Sequence, residues 1–193
     1  MTGRTRLTAE QRRETILTAA TAVFAEYGYQ RAKASEIAAR VGVSEPVVFQ
    51  NFGSKASLFA AVIERASDIA EELLKSFDGQ PVVEVLRALL APEHLDALHA
   101  PGSLGVLFSE GTASDADPRV REAAAAAVQR LARGFTSMLH RAQEAGELDA
   151  GLDAEAFAWS LMSFVAARSF RRAVAADPAL ERRLVEQLLQ ALG

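Results

Sequence analysis

The stretch 35–52, SEIAARVGVSEPVVFQNF, limits what this chain can fold into more than any other. Ile37, Ala38 and Val41 run at helical spacing into Gly42. A second short pattern starts at Ser44 and puts Val48 and Phe52 on one face. Ala38, Gly42, Ser44 and Val48 fall at the spacing of a helix-turn-helix. Each residue type has a task. Ala38 is small enough for two helices to cross steeply. Gly42 can take the left-handed conformation that ends the first helix. Ser44 can cap the second through its hydroxyl. Pro46 falls in the first turn, where its missing N–H costs nothing. Val48 and Phe52, four apart, pack back onto the rest of a domain. The pattern predicts a DNA-reading motif. The alternative from these residues alone is an ordinary helical hairpin in a larger bundle.

A chain of 193 residues, half of them hydrophobic, can build one large domain or two small ones around a sizeable core. With no cysteine there is no disulfide framework, thiolate metal site or cysteine nucleophile. The arginines near the N-terminus have no apolar run behind them, so a signal peptide is not expected. No apolar run reaches the length of a membrane span. A net charge of −4 argues at first against nucleic acid. Residues 1–55, however, carry +3 and the remainder −7. A basic head on an acidic body suits a protein that offers one end to DNA.

In chain order, Arg4 and Arg6 lie before the first helix, either as a frayed terminus or as a basic arm for phosphate or a minor groove. Thr8 and Gln11 form a capping box. Ile16, Ala19, Ala20, Val23, Phe24 and Tyr27 then make one apolar stripe that stops at Gly28. Short helices follow over 34–41, with Ser35 as a late cap, and over 45–52. Ser54 caps a long helix, apolar from Leu58 to Phe77, that connects head to body. Asp78-Gly79-Gln80-Pro81 is a turn. Helices are expected over 82–90, 92–98, 103–111, 118–145, 154–174 and from Pro178 onward, with breaks at 100–102, 114–118 and 146–151. No stretch alternates as a strand does. The expected fold is all-α, with nine or ten helices.

The last two helices carry more apolar surface than one packed side needs. Phe157, Leu161, Val165, Leu184 and Leu188 are expected to meet a second copy as a two-fold four-helix bundle. A two-fold dimer also suits a helix-turn-helix head, which reads half-sites roughly 34 Å apart.

Residues 8–63 resemble the TetR family of bacterial transcriptional regulators. The matching residues are Ile16-Leu17-x-Ala19-Ala20-x-x-x-Phe24-x-x-x-Gly28-Tyr29, then Ile37-Ala38-x-x-Val41-Gly42-Val43-Ser44, then Phe49-x-x-Phe52-x-Ser54-Lys55-x-x-Leu58-Phe59. The body is similar only in helix number and length. The resemblance implies a homodimer with an N-terminal three-helix DNA-binding head, 1–55, and a helical bundle for effector binding and dimerisation, 56–193. It implies a palindromic double-stranded operator, released when a small-molecule effector binds. It also implies a cytoplasmic, nucleoid-associated place, no cofactor and no membrane partner. By the same resemblance, Pro46, Val47 and Phe49 face bases with Ser35 nearby, while Gln50, Asn51 and Lys55 lie along phosphates with Lys33 at the other flank. Glu45 stands where lysine or a polar residue is frequent, Phe49 where tyrosine is usual, and Asn51 where a larger aromatic or histidine contacts phosphate. An acid near DNA is repelled unless it accepts from a cytosine amino group.

For the effector, the apolar candidates are Phe77, Leu86, Leu107, Phe108, Met138, Trp159, Met162 and Phe164, with His99, Ser103 and His140 as polar groups. A site needs apolar walls and few polar groups, and the expected ligand is mostly apolar. The alternative is that the apolar residues are core. His94 and His99 are spaced off one helical face and lack a third metal ligand. Arg168, Arg171, Arg172, Arg182 and Arg183 read as a solvated face with Glu181 and Glu186 as partners, or as an anion or second DNA contact. An enzyme finds no support in triad, paired-acid, phosphate-loop or metal patterns. The remaining alternative is a family-like interaction module that has lost DNA binding.

Overall fold

The computed structural model describes residues 8–100, 103–113, 117–175 and 177–192. The Arg4 and Arg6 arm, the Pro101-Gly102 break, loop residues 114–116 and the side chain of Leu104 lie outside the described residues. The described elements are eleven helices: α1 Ala9–Arg31, α2 Ala34–Val41, α3 Glu45–Phe52, α4 Lys55–Ser76, α5 Val82–Leu89, α6 Pro92–Leu98, α7 Leu104–Thr112, α8 Pro118–Glu144, α9 Ala154–Ala166, α10 Arg168–Val174 and α11 Pro178–Gln190. The all-helical expectation holds. The count exceeds nine or ten because the helix expected over 154–174 breaks at Ala167, where ψ rises to 3°.

Caps set most boundaries. Thr8 and Gln11 exchange both bonds of the capping box, at 3.0 and 3.1 Å. Ser54, Asp153 and Asp177 accept from the N–H groups of Ser57, Ala156 and Ala179. Two expected caps differ. Ser44 occupies the N-cap of α3 but its hydroxyl makes no cap bond. Pro46 has no N–H to offer, and the Val47 N–H goes to the Ser44 backbone carbonyl at 3.0 Å, so both usual donors are gone. At α2 the N-cap is Lys33, not Ser35, and Glu36 reaches back to the Lys33 N–H.

One compact unit comprises the described residues of Met1–Ala66 and Pro101–Ala125. Its core takes Ile16, Ala20, Val23 and Phe24 from α1, Ile37 and Ala38 from α2, Val48 and Phe52 from α3, and Leu58, Phe59, Val62 and Ile63 from α4. Each large side chain buried this way contributes about 1.5–3 kcal/mol before entropy is subtracted. Gly42 is left-handed (φ 72°, ψ 35°), and the Val43 N–H closes back onto the Ala38 carbonyl at 3.0 Å. This fixes the turn between α2 and α3. Gly28 breaks α1 at φ 72°, ψ 168°, a region open essentially to glycine alone. The freed N–H of Tyr29 donates to the Glu110 carboxylate of α7 at 2.9 Å. The Tyr29 ring stacks on Phe59 at 4.8 Å, and Phe59 meets Phe24 edge-on at 4.7 Å.

The second unit comprises Ser67–Ala100 and the described residues of Ala126–Gly193. Val82, Val85, Leu86, Leu90 and Leu95 pack with Met138, Leu139, Phe157, Ala158, Leu161 and Leu189. Ion pairs fasten it. Arg130 grips Glu71 and Asp68 at 2.6 and 2.7 Å. Arg168, its side chain 3% exposed, joins Asp96 at 2.8 Å and Glu181 at 2.7 Å. The solvated-face reading of Arg168 is therefore corrected: the first residue after the Ala167 break is buried among the helices.

Three substitutions test these contacts. Gly28→Ala is expected to cost about 1–3 kcal/mol, and Gly42→Ala about 1 kcal/mol, compared by urea unfolding. Arg168→Ala, which leaves Glu181 with only Arg171 at 3.9 Å while Asp96 keeps Arg172, is expected to cost about 3 kcal/mol in the same measurement.

The pairs also carry a pH dependence. Hydrogen bonds from Arg168, then Arg172, hold the Asp96 carboxyl below the usual range, and Arg130 does the same for Glu71. The unfolded chain therefore takes up these protons first as pH falls. The stability the pairs contribute is complete above about pH 5 and is lost as pH drops through the ordinary carboxylate range toward the lower folded values. Acid titration of stability is expected to be shallower between about pH 5 and 3 in Asp96→Asn than in the wild type.

Candidate nucleic-acid interface and effector cavity

The first unit shows how α3 is presented. Val48 and Phe52 are buried, which turns Glu45, Pro46 and Gln50 outward and leaves Val47, Phe49 and Asn51 half-buried. Pro46, Phe49 and Gln50 recur at helical spacing on the face away from that anchor. Lys33 and Ser35, at the start of α2, are exposed. Arg13 braces α3 from α1: its guanidinium lies 4.1 Å over the Phe52 ring and donates to the Asn51 carbonyl. The Asn51 amide donates to the Val47 carbonyl within its own helix at 2.7 Å. Lys55 is folded onto the head: its ammonium donates to the Gln30 carbonyl at 3.1 Å and sits 4.9 Å over the Tyr29 ring. Burial holds its pKa below the usual lysine value. Arg40 is paired with Glu26, with the Arg40 guanidinium donating to that carboxylate.

The effector candidates are dispersed. Leu107, Phe108 and Ser103 belong to the first unit, where Leu107 is buried and Ser103 caps α7 at 3.4 Å. In the second unit Leu86 and Met138 are core, Phe77 and Phe164 pack against it, and Met162 is half-buried. Trp159 is 40% exposed. His140 is exposed and bonded to the Gln143 side chain. His99 is held between two carbonyls, Leu95 at 2.8 Å and Val165 at 3.1 Å. None of these residues lines the cavity of about 630 Å³ that the second unit contains. That cavity is bounded by α5, α6, α10 and α11. Leu90, Leu95, Leu180 and Val185 form apolar wall, and Asp96, Arg168, Arg171 and Glu181 form polar wall.

Sequence reasoning missed Asp96 as a partner of Arg168 and Arg172. A signal existed: Arg168 lies seven residues beyond Leu161 and four beyond Phe164, so a charge interrupts an apolar stripe. Of the residues expected to meet a second copy, Phe157 and Leu161 are buried in the core of the chain itself, while Val165, Leu184 and Leu188 stay half-exposed. The large apolar side chains left exposed on α9 and α10 are Trp159, Phe170 and Val174, the last two at 70%.

Comparison with known proteins fits this architecture. The family model for bacterial regulatory proteins, tetR family, matches residues 16–62, and that for the tetracyclin repressor-like C-terminal domain matches 111–188. The HTH-type transcriptional activator FasR of Mycolicibacterium smegmatis is 48% identical over 63 residues, 33% of this chain and 29% of that protein. The match thus spans under a third of that relative. The HTH-type transcriptional regulator TtgR of Pseudomonas putida is 27% identical over 172 residues, 86% of this chain and 81% of that one. The fold is shared with a TetR-family regulator from Cytophaga hutchinsonii at a TM-score of 0.76 and 16% identity, covering 97% of this chain and 96% of that one. With a helix-turn-helix at its head, a helical body behind it and both family models matched in order, the chain belongs to the tetR family of bacterial regulatory proteins.

Proposed function

We propose that this protein is a homodimeric transcriptional repressor that holds a palindromic operator and releases it when a small ligand binds the body. The observation that carries the reading is the orientation of α3, whose two anchors are buried and whose opposite face is open. On this reading residues 1–55 serve DNA and residues 56–193 serve effector and dimer. Pro46, Val47 and Phe49 meet base edges, with Ser35 and Glu45 beside them. Lys33, Gln50, Asn51 and Lys55 meet phosphates, which position the helix without reading sequence. Trp159, Phe170 and Val174 supply the apolar face for the second copy, together with Val165, Leu184 and Leu188. The chain then works in the cytoplasm on the nucleoid; among the described residues no helix is long and apolar enough to cross a membrane.

The effector acts by population shift. It favours a separation of the two heads that no longer matches successive major grooves. The support is α4, one helix carrying residues of both compact units. Spectroscopic distances between labels on the two α3 copies test this step. Ligand that weakens operator binding at unchanged label distance would rule it out.

The test of the main reading is binding of the purified chain to its own upstream intergenic DNA across a salt series. The expected result is a dimer on a palindrome with a steep salt slope. Lys33→Ala is expected to lower that slope by about one and to weaken all sequences alike, whereas Phe49→Ala changes sequence preference. Binding that stays at non-specific strength would favour the interaction-module alternative. Because FasR is named an activator, a reporter with and without the protein checks the sign of regulation.

A further inference from the structure

We propose that the cavity bounded by α5, α6, α10 and α11 binds an organic monocarboxylate with an apolar body, its head group taken by Arg171. The argument starts from charge. Arg168, Arg171 and Arg172 share two carboxylates, Asp96 and Glu181. Arg168 and Arg172 satisfy Asp96 at 2.8 and 2.6 Å, and Arg168 takes Glu181 at 2.7 Å. Arg171 reaches Glu181 only at 3.9 Å, too far for a hydrogen bond. One positive charge is left in excess; the other charged residues of the wall, Arg87 and Arg182 with Asp177 and Glu186, balance one another.

The Arg171 guanidinium is held but not satisfied. Its Nη1 donates to the Phe164 carbonyl and its plane lies 4.0 Å over the Phe164 ring. Its Nε and Nη2 are buried with no acceptor. Those two nitrogens form one edge of the guanidinium, the fork that a carboxylate meets with two parallel bonds. Leaving such donors unpaired in the interior is costly, and burial already lowers the pKa of this arginine. Both nitrogens are screened from solvent, so binding takes a turn of the guanidinium about its last torsion.

The rest of the wall selects the remainder of the ligand. Leu90, Pro92, Leu95, Leu180 and Val185 offer apolar surface to a hydrocarbon body. A dianionic phosphate would bring two charges to a site with one in excess, beside Asp96 and Glu181, so a carboxylate is the better match. This refines the mostly apolar effector expected from sequence. It rests on the effector reading for its regulatory meaning only.

The test is calorimetric titration of the full chain at pH 7.5 with octanoate, 1-octanol and octyl phosphate, in the absence of DNA. Octanoate is expected to bind once per chain, at least tenfold tighter than either of the others. Arg171→Gln and Arg171→Lys are each expected to lose about tenfold in octanoate affinity, the loss for one charge-assisted pair; Arg171→Lys keeps the charge and removes only the fork. Arg141→Gln, whose partner is Asp78, is the unchanged control. Equal binding of octanol and octanoate, tighter binding of octyl phosphate, absence of octanoate binding, or full affinity in Arg171→Lys would each overturn the proposal. Since no DNA is present, such a failure leaves the operator reading untouched, and failure of operator binding leaves this titration interpretable.

Discussion

A helix of eight residues does not hold together in water by itself, and the surface proposed to meet DNA belongs to such a helix, α3. α3 exists because Val48 and Phe52 are packed into the core, because Gly42 closes the turn before it, and because Arg13 lies across its end. The same residues that keep it folded also decide which side it shows. Stability and presentation are therefore not separable in the head. A change at Val48 would alter what Phe49 and Gln50 can touch without touching DNA itself.

The body solves a related problem with charge. α5, α6 and α10 have seven or eight residues each, so they too depend on what they pack against. Arg168 ties α10 to α6 through Asp96 and to α11 through Glu181. A buried arginine makes that tie directional, since its donors accept only a few arrangements of neighbours. Around it the arginines outnumber the carboxylates by one, which is what makes Arg171 chemically interesting.

Much of this was legible in sequence where the causes are local. Thr8 with Gln11, and Ser54, announced their helices, and Val48 with Phe52 announced the buried side of α3. Legibility failed where the cause sits elsewhere in the chain. The hydroxyl of Ser44 was an obvious cap, yet Pro46 removes one donor and the backbone takes the other. The break at Ala167 has no glycine or proline to mark it. Arg168 looked solvated because its partner Asp96 lies 72 residues away. Phe157 and Leu161 read as contacts to a second copy, since periodicity says that a side chain is covered without saying by what; the chain buries both itself. The cavity is lined by segments around 87–96 and 168–186, which no single helical pattern joins.

The bond between the Tyr29 N–H and Glu110 spans 81 positions of sequence. It reaches across nearly half the chain to complete the last turn of α1, and the compact unit that contains the helix-turn-helix also takes in α7 and the start of α8. On the ribosome this sets an order of events. α1 to α3 can collapse as they emerge, but the Gly28 break stays without its carboxylate until residue 110 has been synthesised. The reading head is thus finished late, only after much of the body has followed it out, and a nascent chain carries an incomplete head for the seconds that synthesis of those residues takes.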